Sequence, residues 1–499
     1  MTGILIQLSP PLVPSSGSER QLRVSAATVG DSLRELSNLR PALRDRIFRA
    51  DGRLRRDLAV FLNGTDIRNL EGNDTSVRDG DELRIVPSLS GGSGRRVPTR
   101  SALRRSHASA RPPTRKLPTG PRAELRPEEM RRYGRHLLLP EIGLGGQERL
   151  KASKVAIVGA GGLGAPAALY LAAAGVGEIG LIDFDRVDVS NLQRQVLFGT
   201  SDVGRSKIEA GRARLRELNP NVRIRPVHAE LGPKNVLRVL GPYDVVLDGT
   251  DNFPARYLIN DACVALGKPD VFGAIFRFEG QASVFDARSG PCYRCLFPEP
   301  PPAEAAPSCA EAGVLGVLPG LIGLIQATEV LKLLLGEGTS LSGRLLLFDA
   351  LGMRFRELEI AKDPGCPRCG RGRAHRPLRS MAAQCALPES PADEAREISP
   401  AELRRALDRP QPPLLLDVRE PFEYAVSHLP GALLIPQRDL PERLGELRKA
   451  SEVVVYCRRG NRSANATRLL TSLGVRRVRS LTGGLTAWAQ RYAPELPVA

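Results

Sequence analysis

The chain has 499 residues, 42% hydrophobic and 25% charged, with a formal net charge of +17. At about 150 residues per domain this length calls for roughly three domains, and the ordinary composition excludes fibrous and wholly disordered classes. The longest weakly polar run, Val314 to Ala327, holds Pro319 and three glycines; it falls short of the roughly 20 apolar residues of a membrane span and reads as a buried helix.

Met1 to Pro10 lacks the basic start, apolar centre and small-residue cleavage site of a secretory signal, so a cytoplasmic protein with no membrane partner is expected. The first block, residues 1–92, alternates apolar runs at Ile4-Leu5-Ile6, Leu58 to Leu62 and Leu83 to Val86 with turn signals at Asn63-Gly64 and Asp79-Gly80-Asp81. Between them, Val29 to Leu43 has helical spacing at Leu33, Leu36 and Leu39. This is a β-grasp pattern. The stretches Val60-Phe61-Leu62-Asn63-Gly64 and Val77 to Leu83, ahead of Gly91-Gly92, resemble the ubiquitin-like sulfur carriers (ThiS/MoaD type) of molybdopterin and thiamine biosynthesis.

Residues 93–126 form a basic linker. From Arg95 to Arg126 there are ten Lys or Arg and one acid, Glu124, amid Pro, Ser, Ala and Thr without hydrophobic period. Such a stretch reads as a disordered, solvated tether. Without a nucleic-acid motif, the charge alone predicts no nucleic-acid partner.

Residues 127–375 alternate strand and helix patterns, as a doubly wound α/β sheet does. Lys154 to Val158 is a short apolar strand running into Gly159-Ala160-Gly161-Gly162-Leu163-Gly164, and a small-residue helix follows over 165–174. Glycines there bring backbone N–H groups and a helix N-terminus to a phosphate, and Asp183, about twenty residues on, stands where a carboxylate binds ribose hydroxyls. NAD and ATP are equally served by that much. The stretch Ser190-Asn191-Leu192-Gln193-Arg194-Gln195, then Lys207, then a strand ending at Asp248 before Asp251-Asn252, has no use in hydride transfer. Adenylyl chemistry needs such a set, because cations offset triphosphate charge and a carboxylate holds magnesium.

Together with Arg132-Tyr133-Gly134-Arg135-His136, Gly280-Gln281 and Cys309 to Val314, these residues resemble the adenylyltransferases that activate sulfur carriers (ThiF/MoeB type), relatives of ubiquitin-activating enzyme. The resemblance implies ATP as substrate, with Gly159, Gly161 and Gly164 at its phosphates. It places Asp183 on the ribose, Asn191, Arg194 and Lys207 on the phosphates and Asp251 on magnesium, with Ser190, Leu192, Gln193 and Asn252 beside them. It also implies a homodimer in which Arg135 reaches the neighbouring subunit's nucleotide.

Cys292-x-x-Cys295 and Cys366-x-x-Cys369 have the spacing of two zinc knuckles, although about seventy residues separate them, and two redox pairs are the other reading. The family favours one structural zinc. It also makes Cys309 a thiol able to attack the carrier adenylate. Cys263 reads as packing, and Cys385 lies in a second linker, 376–395.

The last block, 396–499, has buried strands at Leu414 to Leu416 and Val453 to Tyr456 and a helix from Ala464 to Leu473. Between strand and helix runs Cys457-Arg458-Arg459-Gly460-Asn461-Arg462-Ser463, where backbone N–H groups, a helix N-terminus and arginines favour a thiolate and then a persulfide anion. This loop, with Leu416-Asp417-Val418-Arg419, His428 to Ala432 and Thr482-Gly483-Gly484-Leu485 before Trp488, resembles rhodanese sulfurtransferases. A phosphatase loop of this shape needs one residue more.

The three resemblances together imply adenylation of the C-terminal glycine of a carrier ending in Gly-Gly, then sulfur transfer from Cys457. A donor such as a cysteine desulfurase or thiosulfate loads that thiol. Molybdopterin, thiamine, cysteine and a thiolated tRNA are the alternative destinations of the sulfur. Because Ser93 follows Gly92, an amide stands where a carboxylate is needed. Two outcomes remain open: a protease cuts after Gly92, or the N-terminal domain is a docking module and a separate carrier is the substrate. A nicotinamide oxidoreductase with a rhodanese attached, and a scaffold whose N-terminal domain blocks its own activating site, are the readings from other classes.

Overall fold

A computed structural model describes residues 3–9, 12, 21–49, 51–87, 123–301, 313–372, 376–378 and 397–497. The expectations for Gly91-Gly92, most of the basic linker, Cys309 and Cys385 fall outside these residues. The chain divides into two units, Met1–Leu387 and Pro388–Ala499, so the β-grasp and doubly wound stretches share one unit.

The β-grasp part is built from β1 (Ile4–Leu8), β2 (Gln21–Val24), α1 (Val29–Leu39), β3 (Leu58–Leu62), β4 (Thr65–Asp66) and β5 (Glu82–Pro87). Thr28 caps α1, its side chain accepting from the Asp31 N–H at 3.1 Å. The helix stops at Leu39, four residues short of the sequence expectation, because Pro41 lacks an N–H and disfavours helical backbone before it. Leu33 and Leu36 are buried, whereas Leu39 is 54% exposed and leaves the core face.

The doubly wound part contains β6 (Lys154–Val158), α2 (Gly164–Ala173), β7 (Glu178–Asp183), α3 (Lys207–Leu218), β8 (Arg223–His228), β9 (Val245–Asp248), α4 (Phe253–Leu266) and β10 (Asp270–Phe276). It continues through β11 (Glu279–Phe285), α5 (Val317–Leu335), β12 (Arg344–Asp349) and β13 (Arg354–Glu359). Strands β10-β9-β6-β7-β8 are parallel neighbours, and β11, β12 and β13 extend the β10 edge antiparallel. Helix α5 begins three residues later and ends eight later than the apolar run read from sequence. Its 19 residues are long and apolar enough to cross a membrane, but Leu318, Ile322, Val330 and Leu333 are buried in the main core against the sheet. Cys263 lies buried on α4, and burial pushes its thiol well up, in keeping with a packing role.

The two parts share one sheet of 13 strands, ordered β2-β1-β5-β3-β4-β13-β12-β11-β10-β9-β6-β7-β8. The seam is the parallel pairing of Thr65 with Glu359, where the Glu359 N–H donates to the Gly64 carbonyl at 3.1 Å. Strand β3 reads Leu-Ala-Val-Phe-Leu, and its alternate residues face opposite sides. Leu58, Val60 and Leu62 join the β-grasp core with Leu33 and Leu36, while Ala59 and Phe61 join a second cluster with Phe253, Tyr257, Phe272, Tyr293, Phe297 and Leu358.

The second unit is a five-stranded parallel sheet, β14 (Glu397–Ile398), β15 (Leu414–Asp417), β16 (Leu433–Leu434), β17 (Val453–Tyr456) and β18 (Val478–Leu481), in the order β14-β18-β17-β15-β16. Helix α6 (Pro421–Val426) follows β15, and α7 (Asn461–Ser472) follows β17.

Candidate functional sites

The parallel order places β6 between β7 and β9, so the connections diverge at the C-terminal ends of β6 and β9, where open α/β sheets hold their ligands. Gly159 ends β6 there at φ +90°, and a Cβ on it would stand 2.8 Å from the Gly249 carbonyl oxygen. Only glycine serves both the backbone angle and the contact. Gly164 opens α2 so close beneath the loop that a Cβ would fall 1.9 Å from the Gly159 oxygen. The crevice is therefore a backbone cradle at a helix N-terminus, the arrangement that receives a phosphate chain.

Part of the predicted set reaches it through named contacts. Asp183 accepts from the Ala160 N–H and, with its other oxygen, from the Asp185 N–H, each at 2.8 Å. A carboxylate has about four lone-pair sites, so two remain for hydroxyls. Lys207, at the start of α3, is 5% exposed and pairs with Asp185 at 2.8 Å. Arg194 lies against the glycine loop, its Cγ 3.6 Å from where a Gly162 methyl would be, and its guanidinium donates to the Ser190 carbonyl at 3.0 Å. Ser190 and Asn191 form a short turn closed on Asp188, and exposed Gln193 backs onto Gly316 ahead of α5. Leu192 is half-buried and packs against the main core, a structural use that the motif did not distinguish. Asp251 is exposed, and Asn252 caps α4 by accepting from the Ala255 N–H at 3.0 Å. Arg135 is exposed on the short helix Gly134–Leu137, and among the described residues no hydrogen bond joins it to this network.

Two supporting residues, Arg256 and Gln326, were missed, and two others, Gln195 and Asp248, were read only as part of their stretches. Gln195 is buried with its Nε2 3.7 Å from the position of a Gly161 methyl. Asp248, fully buried, accepts from the Thr250 N–H at 2.9 Å and from Arg256 Nε at 3.2 Å. Arg256, 1% exposed, also donates to the Thr250 carbonyl at 2.8 Å and the Gly273 carbonyl at 3.0 Å and stacks on Phe272. Gln326 on α5 donates to the Asp248 carbonyl at 2.7 Å. Burial, and then the Asp248 carboxylate, push Asp270 well above the usual carboxylate range. An arginine four residues past Asn252 on a helix that otherwise packs inward was the legible signal.

Cys292, Cys295, Cys366 and Cys369 place all four sulfurs within 4.8 Å of one another, with separations of 3.6 Å for Cys292–Cys366 and 3.3 Å for Cys295–Cys369. Thiolates about 2.3 Å from a tetrahedral ion stand about 3.8 Å apart, so the set fits one closed site and not two separate redox pairs. The donor set suits a thiophilic metal such as zinc.

In the second unit Cys457 ends β17 and is 2% exposed. The N–H groups of Gly460 and Ser463 donate to its sulfur at 3.2 and 3.4 Å, and α7 starts from Gly460. Arg462 is paired through both terminal nitrogens with Glu423 on α6, at 2.7 and 2.6 Å, while the loop's backbone N–H groups reach the sulfur. Arg419 and Asp417, both fully buried, pair internally. Gly484 lies under the loop, where a Cβ would sit 2.4 Å from the Cys457 carbonyl oxygen.

A glycine cradle at a helix N-terminus with Asp183, Arg194 and Lys207 near it, a four-thiol knuckle and a thiol held by two N–H groups suit an activating enzyme joined to a sulfurtransferase domain. Residues 133–368 match the ThiF family, 399–491 the Rhodanese-like domain and 12–92 the ThiS family. The chain is 46% identical over 382 residues to the probable adenylyltransferase/sulfurtransferase MoeZ of Mycobacterium tuberculosis, covering 75% of this chain and 97% of that protein. It is 44% identical over 410 residues to the adenylyltransferase and sulfurtransferase MOCS3 of Bos taurus, covering 76% and 90%. With the sulfur carrier protein adenylyltransferase of Thermus thermophilus it shares 54% identity over 265 residues, 52% of this chain and 98% of that protein. The chain belongs to this adenylyltransferase/sulfurtransferase family.

Proposed function

We propose that the chain adenylates the C-terminal glycine of a ubiquitin-like sulfur carrier and then delivers sulfur from Cys457 to give a thiocarboxylate. The observation that carries this reading is the run of contacts joining the glycine cradle, Asp183, Asp185–Lys207 and Arg194 at the end of β6. On it, Gly159, Gly161 and Gly164 bring N–H groups to ATP, Asp183 orients the ribose, and Asn191, Arg194 and Lys207 offset phosphate charge. Magnesium at Asp251 supplies further neutralisation of the triphosphate. The glycine carboxylate attacks the α-phosphorus and pyrophosphate leaves; positioning and charge suffice, without a side-chain nucleophile. The persulfide on Cys457, held as an anion by the Gly460 and Ser463 N–H groups, attacks the acyl carbon and AMP leaves. The Cys309 thiolate then attacks the Cys457 sulfur of the resulting acyl disulfide, the thiocarboxylate leaves, and a cellular dithiol reductant reopens the Cys309–Cys457 disulfide left behind.

Zinc at the four cysteines holds the knuckle and takes no chemical part. The same reading makes the enzyme a cytoplasmic homodimer, with Arg135 reaching across to the second subunit's nucleotide. A cysteine desulfurase or thiosulfate is the sulfur source.

The test is incubation with ATP, a sulfur source and saturating Gly-Gly-ended carriers, read as pyrophosphate exchange and as thiocarboxylate by mass. Cys457→Ala keeps exchange and loses thiocarboxylate. Thiocarboxylate at the normal rate from Cys457→Ala removes the relay, and absence of exchange with every carrier removes the adenylation step.

A further inference from the structure

The face of the doubly wound part that meets the β-grasp part carries none of the side chains given above to the nucleotide or to the persulfide. It consists of the β13 edge, the aromatic cluster around Tyr257, Tyr293 and Phe297, the side chains of Glu299 and Arg356, and the carbonyls that end the turn Tyr293–Leu296. Its occupant is this chain's own ThiS-family domain. The contacts are matched in kind across the seam. Arg68 donates to the Cys295 and Leu296 carbonyls, each at 3.0 Å. Arg49 and Arg56 pair with Glu299 at 3.3 and 3.0 Å. Arg356 donates to Glu82 at 2.6 Å and Gln7 at 3.2 Å.

Phe61 and Val86 are 0% exposed and Ala59 1%, so the β-grasp sheet gives an apolar patch to the aromatic wall, flanked by the polar Gln7 and Glu82. Fully burying a large apolar side chain contributes more than an exposed rim ion pair does. The interface is built like a core, with charges setting its register.

From this we infer that the seam is the enzyme's carrier dock and that the N-terminal domain is its resident ligand, excluding separately made sulfur carriers while the chain is intact. The inference rests on the carrier-adenylation reading. Because Ser93 continues the chain from Gly92, the resident offers an amide rather than a carboxylate. It fills the dock without being a substrate. Tethering supplies the resident at an effective concentration on the order of mM, so a free carrier of equal affinity, binding at about 10 µM, loses roughly 100-fold in apparent affinity.

The test uses the full-length protein, its uncut state checked by intact mass, beside full-length Arg68→Glu and Phe61→Ala. These substitutions weaken the resident and leave the receiving face unaltered. The probe is a separately produced ThiS-family carrier ending in Gly-Gly. Its capture is followed by native mass spectrometry and its activation by pyrophosphate exchange into ATP. Both variants are expected to capture the carrier and to show an apparent KM for it at least about tenfold lower than wild type. Equal capture and equal KM in all three proteins overturn the inference. A contrast in capture without exchange in any protein upholds the resident domain and removes the adenylation reading, and neither capture nor exchange in any protein removes both.

Discussion

Replacing Arg256 by Met probes the element that holds the loop before Asp251. The guanidinium is buried, bonds Asp248, Thr250 and Gly273, and lies 4.7 Å from the Phe272 ring centre. Met keeps much of the volume but leaves the Asp248 carboxylate, itself fully buried, without its counter-charge. Breaking a buried pair by removing one partner costs about 3–5 kcal/mol. In a unit this large each kcal/mol moves the midpoint by about 2 °C, so the first unit should unfold roughly 6–10 °C earlier. The assay is a thermal melt followed by circular dichroism, with pyrophosphate exchange beside it. Adding Asp248→Asn should return a large part of the loss, because the stranded charge is gone. A shift under about 2 °C, or two substitutions whose effects simply add, would refute the ion pair as the loop's anchor.

Two further outcomes follow from the other sites. Purified protein should carry one zinc per chain, and Cys366→Ser should lose it; because Arg68 hangs on the knuckle carbonyls, trypsin should then cut at Arg55 and Arg56 faster than in wild type. Unchanged cleavage in zinc-free protein would separate knuckle from seam. In the second unit burial alone would push Glu423 up, but the Arg462 bonds and the Glu420 N–H outweigh it and hold its carboxyl below the usual range. A depressed acid stabilises the fold above its unfolded value, about pH 4.3, and that stability fades as pH falls through the folded value. Glu423→Gln should therefore lower the melting point of the second unit at pH 7 and lose less on acidification than wild type; parallel pH profiles would dismiss the pair.

Local chemistry was the legible layer. The Gly159–Gly164 loop, the Cys-x-x-Cys spacings and the Cys457 loop each compress a whole geometric requirement into a few adjacent residues, and the ThiF and Rhodanese-like matches cover those stretches apart from Cys369. What escaped was tertiary. An arginine on the inward-packing α4 hinted at a buried partner, but which groups Arg256 and Gln326 reach is decided only once α4 and α5 pack on the sheet. The seam had left a trace: Leu58 to Leu62 is apolar at five consecutive positions, where a sheet with one wet face alternates. Leu39 misled in the opposite sense, since helical spacing continues for one turn after the buried face has ended.

The doubly buried strand β3 also constrains how such a gene can be divided. Were the first ninety residues made as a free polypeptide, Ala59, Phe61 and Val86 would lie bare on its surface, an adhesive stripe inviting self-association. Independence would require recolouring that stripe with polar residues, and the same repainting would weaken the grip of the parent. Residence and solubility are thus opposing demands written on alternate positions of one five-residue segment.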